Sequence, residues 1–148
     1  MNNYRQVLYH IVFCTHKRQN TILPTHQDQL YRYIWGIVKS KDSVLYRING
    51  TENHVHILSD LHPTIALSNY IRDIKRASSL WMKRTGHYPH FTSWADGVCV
   101  MTYSFRDKEM ITNYIKNQKE HHKKVSFEDE YLSLLKEHGI SYEDAYVF

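Results

Sequence analysis

The chain has 148 residues, 42% of them hydrophobic and 23% charged. That mix excludes a disordered, collagen-like or low-complexity protein, and the length suits one domain, read as residues 1–148. No apolar run approaches the ~20 residues of a membrane span. The start, Met1-Asn2-Asn3-Tyr4-Arg5, lacks a signal-peptide layout, so we expect a cytoplasmic protein with no membrane partner. The net charge of +4 leans toward a polyanionic partner. The 12 tyrosines and 11 histidines exceed what packing requires, and both residue types stack on bases, bind metals or move protons. Cys14 and Cys99 lie too far apart for a thiolate zinc motif or a disulfide framework and read as small buried hydrophobes.

In chain order, Val7-Leu8-Tyr9-His10-Ile11-Val12-Phe13 predicts a buried strand within 4–15. A polar loop over 15–25 follows. Thr25 with Asp28 has the pattern of a capping box ahead of Leu30, Tyr33, Ile34, Ile37 and Val38 at helical spacing. Residues 43–49 and 54–61 read as strands joined by the turn Gly50-Thr51-Glu52-Asn53. Pro63-Thr64 opens a second helix with the apolar stripe Leu67, Tyr70, Ile71, Ile74, Ala77 and Trp81, and residues 86–89 end it. A short strand spans 97–103. Ser104 with Asp107 starts a third helix running to about His122, and Ser126 with Asp129 caps a last one ending near Gly139. The class is therefore α+β. The first six elements give the ferredoxin-like, split βαβ order: an antiparallel sheet with helices on one face, followed by a C-terminal tyrosine-bearing helix.

Two segments carry chemistry. In Asn53-His54-Val55-His56-Ile57, strand alternation turns His54 and His56 to one face and Val55 and Ile57 to the core. Two such imidazoles grip one divalent cation when a third ligand approaches from another element. In Asn113-Tyr114-Ile115-Lys116-Asn117-Gln118, Tyr114 and Gln118 share one helical face, one turn apart. Gln118 offers a carbonyl oxygen to a hard cation, and Tyr114 a phenolic oxygen beside it.

Together these segments resemble the HUH-type single-tyrosine transposases of bacterial insertion sequences (TnpA-like). His54-Val55-His56 matches the His-hydrophobic-His pair. Tyr114, Ile115, Asn117, Gln118, His121 and His122 match the tyrosine helix and its following His-His pair. Thr15, Lys17 and Arg18 after the first strand, and Ser126-Phe127-Glu128-Asp129-Glu130 after the His pair, extend the likeness over nearly the whole chain. One departure is Val98, where members commonly carry a tyrosine after the glycine that Gly97 matches.

The resemblance implies Tyr114 as nucleophile and His54, His56 and Gln118 as ligands of Mg²⁺ or Mn²⁺. It implies cleavage and rejoining of single-stranded DNA at hairpin-marked element ends through a 5′-phosphotyrosine. It further implies a homodimer in which the tyrosine helix of one subunit can dock against the His pair of the other, with assembly within one chain the alternative. Basic residues at Lys17, Arg18, Arg72, Lys75, Arg76, Lys83, Arg84, Lys123 and Lys124 read as phosphate contacts. Two alternatives stand beside this reading: a domesticated relative that processes chromosomal palindromic repeats, and a nucleic-acid binding module without catalysis. The second has no need for the Tyr-His-His-Gln set.

Overall fold

The computed structural model describes residues 4–148, so Met1, Asn2 and Asn3 of the signal-peptide reading lie outside the described residues. Four strands form the sheet: β1 (Tyr9–Cys14), β2 (Leu45–Gly50), β3 (His54–Ser59) and β4 (Cys99–Thr102). Their order is β2-β3-β1-β4 with every neighbouring pair antiparallel, the split βαβ arrangement expected from the element order. Helices α1 (Gln27–Ser40) and α2 (Leu67–Thr85) cover one face. The other face carries α3 (Lys108–Lys116), α4 (Gln118–His121) and α5 (Phe127–Glu137).

The pleat explains the two cores. Ile11, Phe13, Val55 and Ile57 point to α1 and α2, where they meet Leu30, Ile34, Ile71 and Ile74. Val12, Leu58, Cys99 and Met101 alternate to the second face, where Ile111 and Ile115 of α3 and Phe127, Leu134 and Leu135 of α5 close over them. His54 and His56 stand on this second face, buried. The third helix thus sits over the histidines, and the last helix joins it there. Cys14 and Cys99 are both free, Cys99 fully inside.

Several boundaries differ from the sequence expectation. The first strand is confined to Tyr9–Cys14, the residues in continuous register with β3. Thr25 makes no capping bond; Pro24–His26 forms a 3₁₀ turn that feeds α1 directly. Residues 63–66 do not begin α2, because His62 Nδ1 meets Thr64 Oγ1 at 2.7 Å and Ala66 is extended. Ser104 caps a 3₁₀ turn at Phe105–Asp107 by accepting from the Arg106 N–H, rather than capping α3 itself.

The helix expected over 104–122 is interrupted at Asn117, and the reason is a competitor for its carbonyls. Asn49 Nδ2 donates to the Ile115 oxygen at 3.1 Å and the Lys116 oxygen at 3.0 Å. These outside bonds satisfy carbonyls at the C-terminal end of α3. At the far end, Ser126 Oγ accepts from the Asp129 N–H at 3.1 Å, the cap foreseen for α5. Gly139, at φ 64°, follows that helix in the left-handed conformation. Among the described residues, no helix is long and apolar enough to cross a membrane.

Candidate metal and nucleophile site

β3 delivers His54 and His56 two residues apart on one face, with ring centroids 5.1 Å apart. α3 brings Tyr114 over them, α4 brings Gln118, the following turn brings His122, and α5 brings Glu130. Glu130 is the hub. Its Oε1 lies 3.0 Å from His56 Nε2 and 3.1 Å from His122 Nε2, while its Oε2 accepts from Gln118 Nε2 at 2.9 Å and from the Tyr114 hydroxyl. One ligand atom each from His54, His56, His122 and Glu130 falls within a 4.8 Å span. His121 Nε2 is 3.3 Å from Glu130 Oε2 and makes no hydrogen bond.

The outer nitrogens fix two of the rings. His54 Nδ1 faces Asn53 Oδ1 at 2.8 Å, and His122 Nδ1 faces the Val125 carbonyl at 2.7 Å. Those oxygens only accept, so Nδ1 carries the hydrogen and each Nε2 turns inward. Inward, both Nε2 atoms meet Gln118 Oε1, at 3.2 Å from His54 and 2.9 Å from His122. Gln118 cannot turn its amide to answer them, because its Nε2 is spent on Glu130. Neutral rings would therefore set acceptor against acceptor inside the protein. A divalent cation fits this donor set: imidazole nitrogens, one amide oxygen and one carboxylate.

The electrostatics run the same way. Burial, followed by the proximity of His56, holds His54 well below the ordinary histidine value, so its ring is neutral and ligand-ready. Burial pulls His122 downward too, but the Glu130 hydrogen bond and charge outweigh it and raise the ring. For Glu130, burial pushes upward; bonds from His122 and His56, the nearby His56 and the Tyr114 hydroxyl together hold the carboxyl far below its usual range. Burial and the Glu130 charge push the Tyr114 phenol far up. A cleft of about 430 Å³, lined by Asn53, Lys119, His122, Lys123 and Phe127 among others, opens beside this cluster.

Comparison with known proteins gives the family and confirms the fold. The family described as "Transposase IS200 like" matches residues 3–118. The chain belongs to that family. Among curated relatives, the ISDra2 transposase TnpA of Deinococcus radiodurans is 23% identical over 120 residues, covering 76% of this chain and 84% of its own. Two solved structures share the fold. A presumed transposase from Deinococcus radiodurans R1 superposes with a TM-score of 0.63 at 23% identity, over 80% of this chain and 95% of the other. A REP-associated tyrosine transposase bound to a REP hairpin gives 0.62 at 16% identity, over 84% and 76%. Family membership supports a DNA-processing enzyme.

Within this transposase-family chain, the four residues singled out for chemistry, His54, His56, Tyr114 and Gln118, come together in one cluster. The nine basic residues do not. Lys75 is tied down, its ammonium donating to the carbonyls of Ala95, Asp96 and Gly97. Arg72 pairs with Asp73, Arg18 with Glu128, and Lys123 with Glu120. Lys17, Arg76, Lys83, Arg84 and Lys124 are exposed. Arg72, Lys75 and Arg76 border a cavity of about 550 Å³ against Trp94, on α2 and so across the sheet from the histidines.

The sequence reading gives Glu130 no role, although it is the centre of the cluster. A signal exists: Phe127, Glu130 and Leu134 all face inward on α5 at spacings of three and four. A carboxylate on an apolar stripe calls for a charged or hydrogen-bonding partner.

Proposed function

We propose that this chain cleaves and rejoins single-stranded DNA through a 5′-phosphotyrosine at Tyr114, with His54, His56 and Gln118 holding Mg²⁺ or Mn²⁺. The observation that carries this reading is the meeting of Tyr114, Gln118 and the inward-turned histidines around one buried carboxylate, Glu130. His122 and Glu130 complete the donor set. A divalent cation bound there would withdraw charge from a scissile phosphate and favour in-line displacement.

The protein groups do the rest. The Tyr114 oxygen forms the new bond to phosphorus as the bond to the 3′-oxygen breaks; its hydrogen passes by way of Glu130 Oε2 and solvent to that oxygen, which leaves with the upstream strand as a 3′-hydroxyl. In the chain alone, the raised phenol and the lowered carboxyl keep that hydrogen on Tyr114, so the nucleophile rests until positive charge reaches the site. Rejoining reverses the step, since a 3′-hydroxyl attacks the phosphotyrosine and displaces the phenol. The ester conserves the bond, so no nucleotide cofactor is required.

A hairpin-bearing single strand is the substrate this reading favours, supported by the fold-level likeness to a transposase bound to a REP hairpin. That likeness also favours a second reading, processing of chromosomal palindromic repeats, which shares the chemistry; hairpins bounding a mobile unit in the genome distinguish transposition. The exposed Lys17, Arg76, Lys83, Arg84 and Lys124 supply phosphate contacts. We take residues 1–148 as one functional unit, because α5, beyond the matched span, contributes Glu130. A homodimer supplies one tyrosine for each of two element ends.

The test is incubation of the protein with labelled single-stranded hairpin oligonucleotides, with Mg²⁺, with Mn²⁺ and with EDTA. A protein–DNA adduct that survives denaturation, depends on metal and vanishes in His54→Ala is expected. Full activity in EDTA refutes the metal role.

A further inference from the structure

His54 and His122 have their outer nitrogens pinned by oxygens, but His56 does not. Its Nδ1 lies 2.7 Å from Nε2 of His10, and the two rings stack with centroids 5.0 Å apart. His10 comes from the middle of β1, is fully buried, and has no partner on its own Nδ1. Two nitrogens at that distance share one hydrogen, and either ring can donate it.

Two arrangements follow. In the first, His10 Nε2–H donates to His56 Nδ1, and His56 Nε2–H donates to Glu130 Oε1; His10 Nδ1 is then a bare nitrogen. In the second, His56 Nδ1–H donates to His10 Nε2, His56 Nε2 presents its lone pair to the cluster, and His10 carries its hydrogen on Nδ1. Each arrangement has two hydrogens on the pair, and neither ring changes charge. Only the second leaves His56 able to ligate.

We propose that His10 is the positioning residue that converts His56 from a hydrogen-bond donor to Glu130 into a metal ligand, by accepting the His56 Nδ1–H. This rests on the metal-binding reading above. It explains why a second histidine stands behind His56, where His54 and His122 use an amide oxygen and a backbone carbonyl. Such outer partners orient the ring and set its tautomer, and losing one lowers metal affinity ~10–100-fold.

The experiment uses the full chain without DNA. Mn²⁺ binding is titrated by electron paramagnetic resonance for wild type, His10→Phe and His10→Gln. Ring tautomers of wild type are read from histidine ¹⁵N shifts before and after Mg²⁺. Phe keeps the packing and removes the acceptor, so its affinity falls ~10–100-fold. Gln keeps an acceptor oxygen, so it binds at or above the wild-type level. In wild type, Mg²⁺ moves both His10 and His56 to the Nδ1–H form. Wild-type affinity in a folded His10→Phe, equal losses in Phe and Gln, or His10 remaining Nε2–H with Mg²⁺ bound would each overturn the proposal. The tautomer measurement decides even where His10→Phe fails to fold. If wild type binds neither ion, the metal reading falls and this proposal with it; if wild type binds and His10→Phe binds equally, only the role of His10 falls.

Discussion

Glu130 accepts the Tyr114 hydroxyl, yet the two side chains have different jobs and their variants should separate. Tyr114→Phe removes only an oxygen on a half-buried ring, so hairpin binding and folding persist while adduct formation drops to background. If adduct persists in that variant, the nucleophile is another tyrosine. Glu130→Gln keeps the shape but removes the charge that faces His56 and His122. Its expected effect is a ~10–100-fold weaker Mn²⁺ affinity with residual cleavage at saturating metal; unchanged affinity would exclude Glu130 from the donor set. Gln118→Ala should be milder than His54→Ala, because water can replace one neutral ligand. The histidines also predict how the metal-free protein responds to acid. His10, His54 and His121 are held below their ordinary value of 6.5, chiefly by burial, so the unfolded chain takes up protons before the folded one does. Their contribution is present above pH 6.5 and lost as pH falls below it. His122, raised from 6.5, acts oppositely and adds stability that fades as pH rises through its folded value. The lowered Glu130 contributes above 4.5 and loses its share below that. Three groups outweigh one, so the thermal midpoint of metal-free protein should decline steadily from pH 7 to pH 4; a rise over that range would contradict neutral burial of His54.

The β2–β3 hairpin is the element that aims the His pair, and Gly50 is where it has no room. A Cβ at Gly50 would lie 2.1 Å from the His54 carbonyl oxygen and 2.9 Å from the Val55 Cα, both backbone atoms that cannot swing aside. Gly50→Ala should therefore cost ~1–3 kcal/mol in denaturant unfolding and displace His54, weakening metal binding as well. A neutral Gly50→Ala would show that the hairpin yields freely. The same hairpin shows what the sequence makes legible. The β2–β3 turn, the inward alternation of Val55 and Ile57 and the Ser126 cap depend on residues a few positions apart, and the structure has all three, the turn shortened to residues 51–53 because Gly50 pairs with Val55 as the end of β2. What failed at the sequence level depends on distant partners. The break at Asn117 is made by Asn49, and although the α5 stripe marks Glu130 as needing a partner, which partner it meets is set only once α5 lies over β3, 74 positions from His56. The Thr25 cap is a case where a local pattern is present but the Pro24 turn replaces it. The resemblance to a known family carried the His-His-Tyr-Gln set because those residues sit in two short motifs, whereas His10 belongs to neither.

Across the whole molecule the site divides into two halves. The sheet half holds His10, His54 and His56; the helical half holds Tyr114, Gln118, His122 and Glu130. The helical half is bound to itself, since Glu130 of α5 ties Tyr114 of α3, Gln118 of α4 and His122. It joins the sheet through the short stretch between Thr102 and Lys108, a 3₁₀ turn with Phe105 partly exposed. A block of this kind, exchanged as a unit between two chains, would keep every contact named above, including Gln118 to His54 and Asn49 to Ile115. Exchange then carries no loss of buried area, and short hinges favour it. We therefore expect a homodimer with shared sites, the histidines of one chain lying under the tyrosine of the other. Mixing His56→Ala with Tyr114→Phe, each inactive alone, tests this directly. Random reassociation makes half the dimers mixed, and each mixed dimer holds one intact site of two, so about a quarter of wild-type adduct formation should return. No recovery, with subunit exchange verified by differently tagged chains, would mean that each tyrosine serves the histidines beneath it in its own chain.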